Sequence, residues 1–189
     1  VNLNYTDIGS GRPIVMIHGW PLSGAAFADN AKVLAAAGYR VITYDRRGFG
    51  QSGKPRDGYD YDTLAADLDA LLTGLDLRDA VLLGFSMGGG EVARYLATRG
   101  SGRVGAAILS GSICPALCIT KDNPDGAMPR EGFQELADAC AADHAGFVDQ
   151  FCGWFYSNDQ GLAVPEEVRQ QAVEIARQSA PHAAVATIL

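Results

Sequence analysis

Gly84-Phe85-Ser86-Met87-Gly88 is the stretch of this sequence best suited to chemistry. An apolar run, Ala80-Val81-Leu82-Leu83, leads into it, and a helical pattern follows. Strand, tight turn and helix in that order lift one side chain clear of the backbone, and the flanking glycines let strand and helix pass closely. Ser86 is therefore expected to hold a strained backbone conformation and to act as a nucleophile. Gly88-Gly89-Gly90 at a helix start costs about 1 kcal/mol per residue against alanine, which points to tight packing there. A plain glycine-rich turn is the alternative, and the strand before and helix after argue against it.

Two further segments carry polar groups at strand ends. His18-Gly19-Trp20-Pro21 follows the apolar run 14–17, and Pro21 disfavours helical geometry at Trp20, so this is a loop. Asp45-Arg46-Arg47-Gly48-Phe49-Gly50-Gln51-Ser52 follows the apolar run 41–44. Asp45 and Arg46 are expected to hold the neighbouring loop by hydrogen bonds.

The elements that must position these groups alternate. Residues 14–17, 41–44, 80–83 and 105–110 read as strands buried on both faces. Residues 25–37 and 62–75 read as helices, the second with an apolar stripe through Leu64, Leu68, Leu71 and Leu72. In the helix after Ser86, Glu91 and Arg99 read as charges matched to the helix dipole. The fold class is therefore α/β, a doubly wound, mostly parallel sheet with reactive groups at the strands' C-terminal ends. After Gly111 the pattern turns helical, over 131–142, 146–156 and 165–178, with Pro181 opening another helix and no strand expected. Residues 1–112 are thus read as the N-terminal part of the core and 113–189 as a helical cap region. The aromatic cluster Phe147, Phe151, Trp154, Phe155 and Tyr156 reads mainly as helix packing, with part of it roofing a pocket. The substrate pocket is expected at Trp20, Phe85, Met87 and Trp154.

Composition narrows the function classes. At 189 residues, 48% hydrophobic and 20% charged, the chain suits one globular unit with a sizeable core. A net charge of −7 argues against a nucleic-acid surface or docking on an anionic membrane, leaving small organic molecules as partners. No apolar run is long enough to cross a bilayer, and residues 1–5 lack the features of a secretory leader. Cys114 and Cys118 have C-x3-C spacing without a second ligand pair, so reduced thiols in a cytoplasmic protein are expected, with no metal and no cofactor.

Together, the His18–Pro21 loop, the Asp45–Ser52 loop and the Ser86 turn resemble the α/β-hydrolase superfamily, and in detail its cofactor-free haloperoxidases, also called perhydrolases or arylesterases. That resemblance implies that Ser86 attacks an ester carbonyl and is acylated, with the backbone N–H groups of Trp20 and Met87 forming the oxyanion hole. His18 is then a structural residue of its loop. Members that transfer the acyl group to hydrogen peroxide resemble this sequence in having proline after the tryptophan. The implied activity is hydrolysis of small carboxylic esters, with peracid formation and halide oxidation as side outcomes. A lactonase or carbon–carbon bond hydrolase of the same fold is the alternative enzyme. An inactive fragment or binding module needing a complementing chain is the alternative outside enzymes.

A serine needs an adjacent base, and the base an orienting carboxylate, which in this fold follow the nucleophile in the order acid, then histidine. His144 and His182 fall in tail helices, where packed or solvated roles are the plain reading, and Asp143 and Asp159 fare no better. The acid and base are expected beyond Leu189, along with about two core strands. Such a chain is expected to leave the edge of strand 105–110 uncovered, and so to self-associate or to pair with a complementing chain.

Overall fold

The computed structural model describes residues 1–113 and 116–189. Its main sheet consists of β1 (Tyr5–Gly9), β2 (Arg12–Ile17), β3 (Tyr39–Tyr44), β4 (Ala80–Phe85) and β5 (Val104–Ser110). They lie side by side in the order β1-β3-β2-β4-β5. β1 runs antiparallel to β3, and every other pairing is parallel. A 3-10 turn (Gly24–Phe27) and α1 (Ala28–Ala36) cross from β2 to β3. α2 (Tyr61–Gly74) crosses from β3 to β4, and α3 (Met87–Arg99) from β4 to β5.

Strand pleating divides the apolar runs between the two faces. Val15 and Ile17 of β2 pack with Leu68, Leu72 and Val92 under α2 and α3. Their neighbours Ile14 and Met16 pack with Val41 and Ala31 under α1. This is why β2 and β3 read as continuous hydrophobic runs: both faces are covered, as the doubly wound architecture requires.

β5 is different. It pairs with β4 on one side, and among the described residues no strand pairs with the other. Ile108 and Leu109 are 47% and 52% exposed. A row of unpaired backbone groups beside apolar side chains is a template for pairing with another strand.

The remainder is α4 (Arg130–Ala142), α5 (His144–Phe155), a hairpin of β6 (Ser157–Asn158) and β7 (Gly161–Leu162), α6 (Glu166–Ala176) and α7 (Pro181–Ala186). The hairpin corrects the all-helical expectation for this region. Gly161, at φ 105°, supplies a conformation that permits the reversal, and Asn158 caps it by accepting from the Gln160 N–H. Pro165 stands just before α6 as its N-cap, with Glu166 and Glu167 in the first turn. Trp20 packs with Cys140, Phe147 and Ala184, joining these helices to the core loop after β2. The segment leading into α7 is tied down as well: the Ala180 N–H donates to the Gly48 carbonyl at 2.7 Å, and Lys54 Nζ to the Gln178 carbonyl at 2.7 Å.

Cys118, Cys140 and Cys152 are free thiols, whereas Cys114 lies outside the described residues. Among the described residues no His, Cys, Asp or Glu cluster is arranged to hold a metal ion. No helix among them is long and apolar enough to cross a membrane.

Candidate active site

Ser86 sits between the end of β4 and the start of α3, at φ 52° and ψ −120°. A non-glycine residue there is strained by about 1–3 kcal/mol, and the surrounding structure must enforce it. The enforcement is visible. The Ser86 N–H donates to the Ser110 carbonyl at the end of β5 (3.0 Å), and its carbonyl accepts from the Gly89 N–H (2.9 Å). Glycine is required at the crossing: a Cβ on Gly84 would lie 2.5 Å from the Gly88 carbonyl, and one on Gly88 would lie 2.3 Å from that of Ile17. A serine preceding a helix ordinarily caps it, but the Ser86 side chain makes no cap hydrogen bond. Its hydroxyl is left for other work.

The loop after β2 comes to the same point. A Cβ on Gly19 would stand 3.0 Å from the Ser86 Cβ, so Gly19 lets the loop touch the Ser86 turn. The Trp20–Pro21 peptide is cis. Among the described residues, no acceptor takes the backbone N–H of Trp20 or of Met87. Two unengaged donors at this junction are what a developing oxyanion needs. The Trp20 indole is held from behind, donating to the Ala184 carbonyl of α7 at 3.0 Å and packing edge-on against Phe147 and Phe151.

Under the loop lies a buried polar lattice. His18 is fully buried; its Nε2 accepts the Arg46 N–H at 2.9 Å, which places the proton on Nδ1 for donation to the Gly19 carbonyl at 2.9 Å. Burial, with the Arg46 charge adding to it, pushes the His18 pKa well below its ordinary value. Both ring nitrogens are engaged, so His18 shapes the loop and does not serve as a base. Unfolded, it would take up a proton below about pH 6.5; folded, it resists. Its contribution to stability is thus present above that pH and lost on acidification, by up to ~1.4 kcal/mol per pH unit. We expect the imidazole 15N shifts of His18 to remain those of the neutral Nδ1–H tautomer at pH 5.5; a titration midpoint near 6.5 would contradict this.

Arg46 Nε pairs with Glu91 Oε2 at 2.8 Å, both side chains 1% exposed, while its Nη2 donates to the His18 carbonyl at 3.0 Å. Tyr44 Oη also donates to Glu91. Burial pushes the Glu91 pKa upward while Arg46 and Tyr44 pull it back. Asp45 accepts from the backbone N–H groups of Gly24 and Gln51 at 2.9 and 2.8 Å. The Asp45–Arg46 pair thus holds the neighbouring loops as expected. The dipole reading of Glu91 is corrected: it is a fully buried anchor joining α3 to Arg46 in the loop after β3.

Ser86 lines a narrow apolar cleft of only about 10 Å³, walled by Trp20, Phe85, Phe151 and Phe155. Of the expected pocket residues, Trp20 and Phe85 are therefore at the site. Met87 turns its buried side chain away, into a separate hollow beside Tyr59 and Tyr61. Trp154 is 57% exposed and is corrected likewise. Phe147, Phe151 and Phe155 fall four residues apart along α5 and pack toward the loop after β2, whereas Trp154 remains at the surface.

None of the chain's three histidines meets Ser86. His144 bonds Ser179 Oγ at 2.9 Å, and His182 bonds the Pro55 carbonyl at 2.7 Å.

A fold of this topology, with this turn at the end of β4, is matched by the family described as alpha/beta hydrolase fold over residues 12–171. The chain belongs to that family. It is 47% identical to the non-heme chloroperoxidase of Kitasatospora aureofaciens, over 88% of this chain and 60% of that one. It is 37% identical to the bifunctional esterase/perhydrolase of Acinetobacter calcoaceticus, over 89% and 62%. Bromoperoxidase from Bacillus anthracis superposes with a TM-score of 0.94 at 42% identity, covering 98% of this chain and 68% of that structure. The chain thus spans about 60% of the length of the curated relatives it matches.

Proposed function

We propose that this sequence carries the nucleophile and oxyanion hole of a serine hydrolase acting on small carboxylic esters through an acyl-enzyme. The observation that carries the proposal is Ser86: a strained, uncapped serine lining an apolar cleft beside the unengaged N–H groups of Trp20 and Met87. Attack by Oγ on an ester carbonyl places the new oxyanion within reach of the two donors, and departure of the alcohol leaves the acyl group on Ser86. Water then regenerates the enzyme. Hydrogen peroxide in place of water gives a peracid, which oxidises halide; the names of the chloroperoxidase and esterase/perhydrolase relatives support that side activity. No cofactor enters these steps. The base that activates Ser86, and the carboxylate that orients it, come from outside the 189 residues, because every histidine present is engaged elsewhere. Free thiols at Cys118, Cys140 and Cys152 suit the reducing cytoplasm.

The test is a fluorophosphonate probe with intact-mass readout, applied to the product of the complete reading frame. One adduct per chain is expected, mapped to Ser86 and absent from Ser86→Ala. An unlabelled wild type, folded and with any complementing chain present, would overturn the proposal.

A further inference from the structure

The two N–H groups proposed to hold the oxyanion share a property beyond being unengaged. Each belongs to a peptide unit whose carbonyl already accepts two hydrogen bonds. The Gly19 carbonyl, on the peptide that carries the Trp20 N–H, accepts from the His18 Nδ1–H at 2.9 Å and from the Leu22 N–H at 3.1 Å. The Ser86 carbonyl, on the peptide that carries the Met87 N–H, accepts from the Gly89 N–H at 2.9 Å and from the Ile113 N–H at 3.4 Å. Charge drawn toward a peptide oxygen leaves the N–H of the same amide a stronger donor, and bonds in a chain reinforce one another by about 10–30% each. The chain on the Trp20 side is the longer one. It starts at the Arg46 N–H, which donates to His18 Nε2 at 2.9 Å and so fixes the ring proton on Nδ1. His18 has no exposed surface and Arg46 is 1% exposed, which gives the low-dielectric setting where such polarisation is strongest.

Resting on the serine-hydrolase function proposed above, we infer that His18 is a positioning residue for ester cleavage, acting through the Gly19–Trp20 peptide. Its Nδ1–H orients and polarises that amide, so that the Trp20 N–H meets the oxyanion as a stronger donor. No proton moves along the chain; only charge is redistributed within it. A neutral ester carbonyl asks little of the donor, and the charge that develops during attack asks more, so the relay favours the transition state over bound substrate. Acylation and deacylation both pass through an oxyanion in the same place and gain alike. The effect should therefore fall on kcat and leave KM unchanged. One oxyanion donor is worth about 10²–10³ in rate, and 10–30% of its free energy corresponds to about two- to eightfold.

Two variants separate the relay from a residue that merely ties its loop to the Arg46 backbone, because each keeps one of the two ring bonds. His18→Asn carries an amide N–H near the place of Nδ1 and nothing at Nε2. His18→Gln carries an amide oxygen near the place of Nε2 and no donor to the Gly19 carbonyl. In the product of the complete reading frame, kcat for p-nitrophenyl acetate should fall about two- to eightfold in His18→Gln, with KM unchanged, and by less in His18→Asn. A larger fall in His18→Asn than in His18→Gln, an unchanged His18→Gln, or a loss carried by KM overturns the relay. A second measurement uses the wild type and needs neither variant to fold. The phosphoryl oxygen of a fluorophosphonate adduct on Ser86 takes the oxyanion position, and engaging the Trp20 N–H there should tighten the chain and move the His18 Nδ1–H proton resonance downfield. An adduct that leaves this resonance in place overturns the relay while leaving the hydrolase function standing. If the wild type forms no adduct and cleaves no ester, the serine-hydrolase function falls, and the relay with it.

Discussion

Replacing Ser86 by glycine should make the protein more stable while abolishing its chemistry. The backbone at Ser86, φ 52° and ψ −120°, is a conformation that glycine adopts without steric cost. Relief of about 1–3 kcal/mol of strain is offset by about 0.5–1 kcal/mol of added chain entropy in the unfolded state. No helix cap is lost, because the Ser86 side chain makes none. The net gain is about 1 kcal/mol, a rise in Tm of roughly 2–4 °C for a chain of this size. Ser86→Ala removes the hydroxyl and keeps the strain, so it should match the wild type in Tm. Both variants should lose probe labelling and ester turnover. Thermal unfolding of the three forms checks the prediction; equal midpoints for Ser86→Gly and Ser86→Ala would contradict it.

The second large effect concerns the buried pair beneath the site. Glu91→Ala leaves the Arg46 guanidinium, 1% exposed, without its counter-charge and deprives Tyr44 Oη of its acceptor. Removing one member of a buried ion pair costs about 3–5 kcal/mol, a large share of the stability of an ordinary domain. Removing both charges costs far less, since an apolar pair of similar volume is often neutral. The double variant Arg46→Met/Glu91→Leu should thus unfold at a higher urea concentration than Glu91→Ala alone. It will not recover fully, because the His18 carbonyl loses the Arg46 Nη2 donor. A double variant less stable than Glu91→Ala would show that the pair's charges are not the source of the loss.

Much of this architecture is legible in the sequence because it rests on local chemistry. The apolar runs of β2, β3 and β4 announce strands covered on both faces, and the glycines around Ser86 announce a close crossing. Side-chain direction was harder. Glu91 looks like a surface charge near a helix start, yet it stands four residues after Met87 and four before Tyr95, on the buried side of α3. Along α5 the spacing puts Trp154 on the same stripe as Phe147 and Phe151, so its exposure is not legible from periodicity. What no local pattern carries is the meeting of distant loops. That Ala184 accepts the Trp20 indole depends on a contact across most of the chain, and only the packed helices reveal it.

That last contact makes access and reactivity interdependent. Trp20, whose backbone N–H is proposed as an oxyanion donor, also grips α7 through its indole, 3.0 Å from the Ala184 carbonyl. Any opening of the helices above the site that carries α7 outward must either break that bond or drag Trp20 with it. Under the function proposed here, the position of α7 and the position of the Trp20 N–H are therefore mechanically linked, so a displacement of α7 would be felt at the oxyanion site.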